Sequence, residues 1–410
     1  MKCGLLGEKL GHSYSPEIHK HYGSYSYSLF EKSPEALQSF LQSDLFDGLN
    51  VTIPYKKAVI PYCSRLTEQA QKLGAVNTIV RNADGTLTGH NTDYFGFQSM
   101  LKHSGLDPAD KKVLVLGSGG ASNTVCAVLQ ELGANVVVIS RSGENNYENL
   151  HIHHDCAIIV NTTPVGMFPK TGVSPIDLAQ FNKLEGVLDV IYNPSRTQLL
   201  LDAEKRNIKT ENGLWMLVAQ AKESAEWFTG TSIPDHQIET IYQHLKNQME
   251  NIVLIGMPGC GKSTIGKILA EKLNRNFMDA DCCIEQSAKL TIPQIFEVHG
   301  EDGFRKIETQ VLCELGKKSG QIIATGGGCV TRQENYPYLH QNGTIIWIKR
   351  PLDALPTDGR PLSQTNSLEK IYEARKPMYQ AFSDYEVENQ NTPEETANAI
   401  IDLMQLEAIS

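Results

Sequence analysis

Hydrophobic and polar positions alternate along the first half of the chain in a way that predicts strands separated by helices. Apolar runs that read as strands occur at 112–117 (KVLVLG), 135–140 (NVVVIS), 157–163 (AIIVNTT) and 186–192 (GVLDVIY). Between the first two, residues 122–133 (SNTVCAVLQELG) have the mixed pattern of a helix. Such alternation is typical of an α/β fold, and we expect a parallel, doubly wound sheet here.

The same pattern starts again after residue 251. A polar helix is predicted over 236–251 (HQIETIYQHLKNQMEN), and apolar runs follow at 252–256, 321–328 and 344–350. We therefore predict a second α/β part and place the boundary near residue 247.

Composition and charge argue against several classes of binding partner and against export from the cell. The chain has 410 residues, of which 40% are apolar and 20% charged, with a net charge of −10. Without a long basic run, nucleic acid and anionic membranes are poor partners, and no apolar run has the length of a membrane span. The N-terminus turns polar too early for a signal peptide. The nine cysteines lack ligand spacing, which favours free thiols in a reducing cytosol over a zinc site. The pattern specifies no oligomeric state.

A glycine-rich loop, VLGSGGAS (115–122), follows one predicted strand and opens a helix. Gly117, Gly119 and Gly120 would let the backbone approach a pyrophosphate at the helix N-terminus. The loop matches GxGxxG only loosely, because Ser122 takes the third position, so a tight structural turn is the alternative. The next strand ends in Arg141 rather than an acid. An arginine there favours the 2′-phosphate of NADP, although it also fits a plain exposed position.

Four polar stretches precede this loop. Together they supply two hydroxyls, an amide, a lysine and an acid, which suit a small polyhydroxy carboxylate, although each alone also fits a cap or turn. They are GHSYSPEIH (11–19), GLNVTIPYK (48–56), GAVNTI (74–79) and GHNTDYFG (89–96).

These stretches, in this order and followed by the glycine loop and GLWMLVAQA (213–221), resemble the signature blocks of shikimate dehydrogenase over roughly residues 1–245. The resemblance implies reduction of 3-dehydroshikimate to shikimate with NADPH. It also implies an α/β substrate domain formed by 1–93 and 213–247, with a Rossmann NADP domain at 94–212. The residues it implies are Ser13 and Ser15 for the substrate carboxylate, Thr52, Asn77 and Gln220 for the ring hydroxyls, Lys56 and Asp93 for catalysis, and Gly117, Gly119, Gly120, Ala121 and Arg141 for NADP.

The chemistry of the implied pair is consistent with this reaction. Reducing a ketone requires a hydride donor and a proton for the developing alkoxide. A shielded Lys56 beside Asp93 can donate that proton or hold the charge of the oxygen, and both roles stay open. The chain departs from the family at Lys9-Leu10, where Pro-Ile is usual, and at Ser140-Arg141-Ser142, where Asn-Arg-Thr is usual. The second departure predicts a weak preference for NADP.

The second part opens with GMPGCGKS (256–263), which satisfies GxxxxGK[ST] between a predicted strand and a predicted helix. Its glycines free backbone N–H groups to wrap phosphate. Lys262 is placed to reach the outer phosphates of ATP, and the Ser263 hydroxyl to ligate Mg²⁺.

The blocks that follow resemble shikimate kinase, over about residues 250–405. The fold implied is a P-loop α/β/α kinase domain with a parallel sheet, at 248–410. The blocks are FMDADCCIE (277–285), IFEVHGEDGFRKIE (295–308), ATGGG (324–328), GRPL (359–362) and YEARKPMY (372–379). The residues implied are Asp281, Arg305, Gly327, Gly328 and Arg375 for shikimate, Ser263 and Asp279 for Mg²⁺, and Gly256, Gly259, Cys260, Gly261, Lys262, Ser263, Thr264 and Arg360 for ATP.

The kinase residues also make chemical sense. Arg305 and Arg375 can clamp a carboxylate, and Asp281 can accept the proton of the attacking hydroxyl or orient it. The lid at 352–362 (LDALPTDGRPL) is short and acidic, with Arg360 its only arginine. Family members usually have a longer basic lid, so we predict an active kinase with a poor KM for ATP.

Our interpretation is a bifunctional enzyme that carries out two consecutive steps of aromatic biosynthesis on small molecules. A quinate/shikimate dehydrogenase using NAD(P), fused to a kinase with weakened ATP binding, is the enzymatic alternative. Two others are a regulatory protein that binds these ligands without catalysis and a nucleoside-monophosphate or similar kinase. Lys56, Asp93, Lys262 and Asp281 together argue against the regulator, and the blocks around Asp281 argue against the other kinase.

Overall fold

Strands and helices alternate along the chain in the computed structural model, which describes residues 1–11, 13–355 and 368–408. Contacts divide the protein into two units. The first comprises Met1–Val165, Ser174–Tyr192 and Asp202–His244, and the second Gly166–Val173, Asn193–Leu201 and Leu245–Ser410. Along the sequence, the last change from the first unit to the second falls between residues 244 and 245. The boundary predicted from the sequence is near residue 247.

Two short segments from the first half of the sequence are part of the second unit. Hydrogen bonds explain the placement of one of them. The backbone N–H of Ser195 donates to Oδ1 of Asn342 over 2.8 Å, and that of Arg196 donates to the carbonyl of Gln341 over 2.8 Å. A continuous stretch of sequence therefore does not define the second unit.

The N-terminal residues of the first unit build a mixed six-stranded sheet in the order β2-β1-β3-β5-β6-β4. Strand β3 pairs parallel with β1 and antiparallel with β5. The elements are β1 (Lys2–Gly7), α1 (Ser15–Tyr22), β2 (Ser26–Glu31), α2 (Leu37–Leu41), β3 (Gly48–Val51), β4 (Arg65–Leu66), α3 (Glu68–Leu73), β5 (Thr78–Arg81), β6 (Leu87–His90) and α4 (Asp93–Ser104).

A parallel five-stranded sheet follows in the same unit, in the order β11-β10-β9-β7-β8. Its strands confirm the runs predicted in the first half, and its central strands are apolar because both of their faces are buried. The elements are β7 (Lys112–Leu116), α5 (Gly120–Glu131), β8 (Asn135–Ile139), β9 (Ile158–Asn161), β10 (Gly186–Asp189), α6 (Gln198–Glu204), β11 (Lys209–Glu211), α7 (Leu214–Thr229) and α8 (His236–Met249). The first residues of α6 and the last residues of α8 belong to the second unit.

The second unit has its own parallel five-stranded sheet, in the order β13-β14-β12-β15-β16. Its apolar strands pack into a core centred on residues such as Trp347 and Tyr379. The elements are β12 (Asn251–Ile255), α9 (Lys262–Leu273), β13 (Asn276–Asp279), α10 (Ala280–Ala288), α11 (Ile292–Gly316), β14 (Gln321–Ala324), α12 (Asn335–His340), β15 (Gly343–Lys349), α13 (Leu368–Phe382), β16 (Tyr385–Glu388) and α14 (Pro393–Leu403).

These sheets confirm an α/β fold with a parallel sheet in each unit. In both parallel sheets the predicted glycine loop directly follows a strand with partners on both sides, β7 in the first sheet and β12 in the second. Ligands of such sheets bind beyond the carboxyl ends of the strands, where the strand order reverses. None of the helices in the described ranges is long and apolar enough to cross a membrane.

Candidate active sites

Lys56 and Asp93 form an ion pair in the first unit. Lys56 lies beyond β3, and Asp93 is the first residue of α4. Nζ of Lys56 donates to Oδ2 of Asp93 over 2.6 Å, with 31% of the lysine side chain and 16% of the aspartate side chain exposed. The structure therefore brings together the two residues predicted as a catalytic pair, in a partly shielded position.

Asn77 and Gln220 meet at Thr92, the residue before Asp93. Oδ1 of Asn77 accepts the backbone N–H of Thr92 over 2.7 Å, and Nδ2 of Asn77 donates to the Thr92 hydroxyl over 3.0 Å. That hydroxyl lies 3.3 Å from Oε1 of Gln220, which comes from α7. Helix α7 packs against α4 and α1, so a residue 128 positions further along the chain reaches the same site.

Sequence reasoning missed the buried polar layer beneath these residues. Ser224 is fully buried, accepts from Nδ2 of Asn50 over 2.7 Å, and lies 3.0 Å from each hydroxyl of Thr78 and Thr92. The sequence signal for this layer was the polar residues Asn50 and Thr78 inside the otherwise largely apolar strands β3 and β5. Buried polar groups are costly unless paired, so this network fixes the orientation of Asn77.

The two predicted serines lie at the start of α1. Ser15 is the first residue of the helix and is 9% exposed, and its backbone N–H donates to Oγ of Ser13 over 3.2 Å. Thr52 follows β3 and donates its backbone N–H to the carbonyl of Leu6 over 2.9 Å. Ser13 and Thr52 are half-buried in loops, while Ser15 is buried at the start of α1.

The glycine loop after β7 leaves room for a ligand. Gly117 has φ 109°, and a side chain there would meet the Thr162 hydroxyl at 2.8 Å, so the fold itself requires this glycine. Gly119 and Gly120 have negative or unremarkable φ, and a Cβ on either would meet no atom within 4 Å. The fold has no steric need for these two glycines, which fits a loop that must admit a pyrophosphate.

The start of α5 supports the same interpretation. Its N-cap residue is Gly119, which has no side chain that could cap the helix, so the N–H groups of the first turn, that of Ala121 among them, can donate to an anion. Arg141 is exposed in the turn after β8. Helix α4, which begins with Asp93, contacts α5, which begins at the glycine loop. Asp93 and the glycine loop therefore lie at the starts of two neighbouring helices.

In the second unit, the loop from Gly256 to Lys262 has the backbone of a phosphate cradle. Gly256, Gly259 and Gly261 have φ of 142°, 85° and 104°, which residues with a Cβ rarely adopt. Lys262 is 8% exposed, and its Nζ donates to the carbonyls of Gly256 and Met257 over 3.0 Å each. The ammonium is therefore held inside the loop that would surround phosphate.

Ser263, Asp279 and Asp281 are linked beside this loop. The Ser263 hydroxyl donates to Oδ2 of Asp279 over 2.7 Å. Asp279 caps α10, and its Oδ1 accepts the N–H of Asp281 over 3.1 Å. Burial, together with the charge of Asp279, raises the pKa of Asp281 above its ordinary value.

Three consecutive glycines after β14 bring the backbone against the charged residues. A Cβ on Gly326 would meet carboxylate oxygens of Asp281 and Glu308 at 2.9 Å each, and one on Gly328 would overlap the guanidinium of Arg305. Arg305 is 6% exposed, and its Nη1 donates to Glu308 over 2.7 Å. The glycines are thus explained by close approach.

Arg375 completes this group from α13. Its Nη1 donates to the carbonyl of Gly327 over 3.0 Å, and a Cβ on Gly327 would meet Pro258 at 2.6 Å. These residues line one cavity of about 610 Å³. The cavity brings together nearly all the predicted kinase residues, namely Gly259, Gly261, Lys262, Ser263, Thr264, Asp279, Asp281, Arg305, Gly327, Gly328 and Arg375.

Two other residues predicted for ATP, Cys260 and Arg360, are not among the residues that line this cavity in the described part of the chain, whereas one residue that was not predicted is. Cys260 is fully buried, with its Sγ 3.8 Å from Nζ of Lys262. Arg360 lies outside the described residues, as does most of the short lid, so the prediction of a poor KM for ATP stays a prediction. Sequence reasoning left out Arg350, yet it lines the cavity and Nη1 donates to the carbonyl of Gly259 over 3.4 Å.

The fold and the two sites indicate that one chain combines two classes of enzyme, a nucleotide-dependent dehydrogenase and a P-loop phosphotransferase. Comparisons with known families agree. The family model described as the shikimate dehydrogenase substrate binding domain matches residues 5–79, and the model described as shikimate kinase matches residues 258–405.

Individual relatives extend the first match. A shikimate dehydrogenase (NADP(+)) of Clostridium perfringens is 35% identical over 265 residues, which cover 59% of this chain and 97% of the relative. The structure of a chorismate mutase/shikimate 5-dehydrogenase fusion protein from Clostridium acetobutylicum matches with 37% identity and a TM-score of 0.57, over 60% of this chain and 97% of that one. A Thermus thermophilus shikimate 5-dehydrogenase in complex with NADP(H) and shikimate matches with 29% identity and a TM-score of 0.55, over 60% and 99%. The chain therefore belongs to the shikimate dehydrogenase family, and its C-terminal residues form a shikimate kinase domain.

Proposed function

We propose a residue-level mechanism for the two activities of this bifunctional shikimate-pathway enzyme, shikimate dehydrogenase with NADP and shikimate kinase with ATP. In the first reaction, 3-dehydroshikimate is reduced to shikimate. NADPH bound at the loop after β7 supplies the hydride. Lys56 gives a proton to the carbonyl oxygen as negative charge develops there, and Asp93 orients the ammonium through their 2.6 Å hydrogen bond.

The substrate of this first reaction is held by short polar side chains. Ser13 and Ser15 bind its carboxylate, and Thr52, Asn77 and Gln220 bind its ring hydroxyls. The pairing of Asn77 with Thr92 supports this assignment, because it fixes one amide in a set direction before substrate arrives. A preset geometry lowers the entropy cost of aligning the ketone with its hydride donor.

In the second reaction, ATP phosphorylates the 3-hydroxyl of shikimate. Lys262 and the N–H groups of the loop hold the phosphates, and Arg305 and Arg375 clamp the substrate carboxylate. Asp281 accepts the proton of the attacking hydroxyl or orients it. The linked hydroxyl of Ser263 and carboxylate of Asp279 are the hard oxygen ligands that Mg²⁺ prefers, and Mg²⁺ held there would neutralise charge on the phosphates.

One observation carries the kinase assignment. Two arginines, two aspartates and the P-loop lysine, which are spread over more than 100 positions of the sequence, line a single cavity of about 610 Å³. The cavity thus offers cations for a carboxylate and for phosphates, and Lys262 and Arg305 among them act electrostatically on Asp281, whose pKa is raised by burial. A small hydroxylated acid as phosphate acceptor fits this arrangement.

The test supplies purified protein with 3-dehydroshikimate, NADPH, ATP and Mg²⁺. We expect NADPH oxidation, followed by appearance of shikimate 3-phosphate in mass spectra. Lys56→Ala should lower NADPH oxidation by at least 100-fold while the protein still phosphorylates added shikimate, as expected for loss of a general acid. Lys262→Ala should accumulate shikimate without its phosphate.

A neighbouring lysine provides the matched control. Lys57 is exposed and adjacent to Lys56, so Lys57→Ala should leave both rates within a few-fold of wild type. Equal turnover by Lys56→Ala and wild type would refute the proton-transfer assignment. Oxidation of quinate with NAD at a rate similar to that of shikimate with NADP would favour the quinate/shikimate alternative.

We also propose that the enzyme works in a reducing cytosol. All nine cysteines are free thiols in the structure, including the adjacent pair Cys282 and Cys283. Alkylation of protein unfolded directly in iodoacetamide should therefore modify nine cysteines without a reductant, and fewer would indicate disulfides.

A further inference from the structure

Three potential metal ligands from two helices converge on the surface of the first unit. Glu17 and His21 lie four positions apart on α1, and His244 comes from α8. One ligand atom from each lies within 4.8 Å of the other two. Nε2 of His21 is 3.9 Å from Oε1 of Glu17, and the rings of His21 and His244 are 5.2 Å apart at 64°.

The distance between the ligand atoms of Glu17 and His21 is close to that found in a zinc site. Zinc binds imidazole nitrogen and carboxylate oxygen at about 2.0–2.2 Å, so tetrahedral ligand atoms lie roughly 3.3–3.6 Å apart. The 3.9 Å between Glu17 and His21 therefore needs a shift of a few tenths of an ångström, and the pairs that involve His244, which lie within 4.8 Å, need at most about 1.5 Å. The side chains of Glu17 and His21 are 33% and 41% exposed, so small rotations of each are sterically open. Two imidazoles and one carboxylate are also a ligand set that zinc uses, with a fourth position for water.

One charged neighbour, Lys20, contacts the triad through Glu17. Lys20 donates to Oε2 of Glu17 over 2.8 Å, which leaves Oε1 facing the histidines. A glutamate carboxylate is ionised at neutral pH, which is the form that binds metal. Lys20 is 71% exposed, so its ammonium can move away from an incoming cation.

We propose that Glu17, His21 and His244 form a binding site for a divalent cation of the zinc class, bridging α1 and α8. Sequence spacing gave no sign of it, because 223 positions separate His21 from His244 (244 − 21). The site uses none of the residues assigned to either reaction. A bound cation links two helices of the folded chain and so stabilises it against unfolding.

The experiment titrates metal-free, untagged protein with Zn²⁺ by calorimetry and with Co²⁺ by visible absorption. We expect one equivalent of tight binding in the wild type. His21→Ala, His244→Ala and Glu17→Gln should each weaken that binding by at least ~10-fold, a loss of the size seen when metal-site residues are replaced. Saturating Zn²⁺ should raise the Tm of the wild type by a few degrees, and the three variants should lose this rise.

His236→Ala is the matched control, because His236 is an exposed histidine on the same helix as His244. It should bind Zn²⁺ as the wild type does. Each of the three variants changes one side chain that neither reaction uses, so dehydrogenase activity near the wild-type level confirms that the variant is folded. Binding that is equally tight in all proteins, absence of binding in the wild type, or a Co²⁺ spectrum with thiolate charge-transfer absorption would each overturn the proposal.

Discussion

Replacing Gly328 by alanine should impair the kinase through Arg305. A Cβ on Gly328 falls on the guanidinium of Arg305. Because ordinary non-bonded contacts begin at about 3.5 Å, the guanidinium must move by roughly 1 Å. It has little freedom to do so, since the side chain is 6% exposed and bound to Glu308 over 2.7 Å.

The magnitude follows from the hydrogen bond that is lost. A hydrogen bond to a charged group is worth about 1.5–3 kcal/mol, and each 1.4 kcal/mol corresponds to a factor of ten. If displaced Arg305 no longer meets the substrate carboxylate, the KM of the kinase for shikimate should rise about 10- to 100-fold. The KM for ATP should change little, because Gly328 lies on the Arg305 side of the cavity.

The assay is steady-state kinase kinetics with varied shikimate. Dehydrogenase kinetics of the same preparation provide an internal control, since that site lies in the other unit. The decisive comparison adds Arg305→Ala to Gly328→Ala. If the glycine acts only through Arg305, the double variant should be no worse than Arg305→Ala alone. An unchanged KM in Gly328→Ala, or fully additive losses in the double variant, would refute this reasoning.

Three further predictions concern the other groups of the two sites. The apparent pKa of the acid limb of the kinase pH–rate profile should lie above that of an ordinary aspartate, about 3.9. The reason is that Asp281 must be ionised to accept a proton, and burial raises its pKa. An apparent pKa at or below about 3.9 would contradict the assignment. Ser224→Ala should destabilise the first unit by about 1–3 kcal/mol in urea denaturation, because Nδ2 of Asn50 loses a buried acceptor; a change under about 0.5 kcal/mol would show that the network is dispensable. Arg141→Ala should raise the KM for NADPH about 10-fold and leave that for NADH unchanged, and an equal effect on both would show that Arg141 does not read the 2′-phosphate.

The order of the secondary structure was readable from the sequence because its causes are local. The apolar run at 112–117 and the mixed pattern after it became β7 and α5. The loop at 256–263 has φ values that only its glycines readily adopt, so the motif itself specifies the backbone. Resemblance to two families then added the partners, including Lys56 with Asp93.

Other features arise only when distant segments meet. Asp93 and Gln220 approach one point because α7 packs on α4, and no pattern along the chain contains that contact.

The sequence by itself determined two α/β parts, the glycine-rich loop that follows a strand in each, and the chemical types of the predicted site residues, since strand periodicity and glycine conformation depend on near neighbours. Only the tertiary structure decided that Ser224 supports Asn77 through Thr92, that Gly328 makes room for Arg305, and that Arg196 belongs to the second unit. It alone placed His244 beside Glu17 as well. The physical reason is that packing between elements depends on the shape and pairing of whole surfaces, which residues far apart in the sequence contribute together.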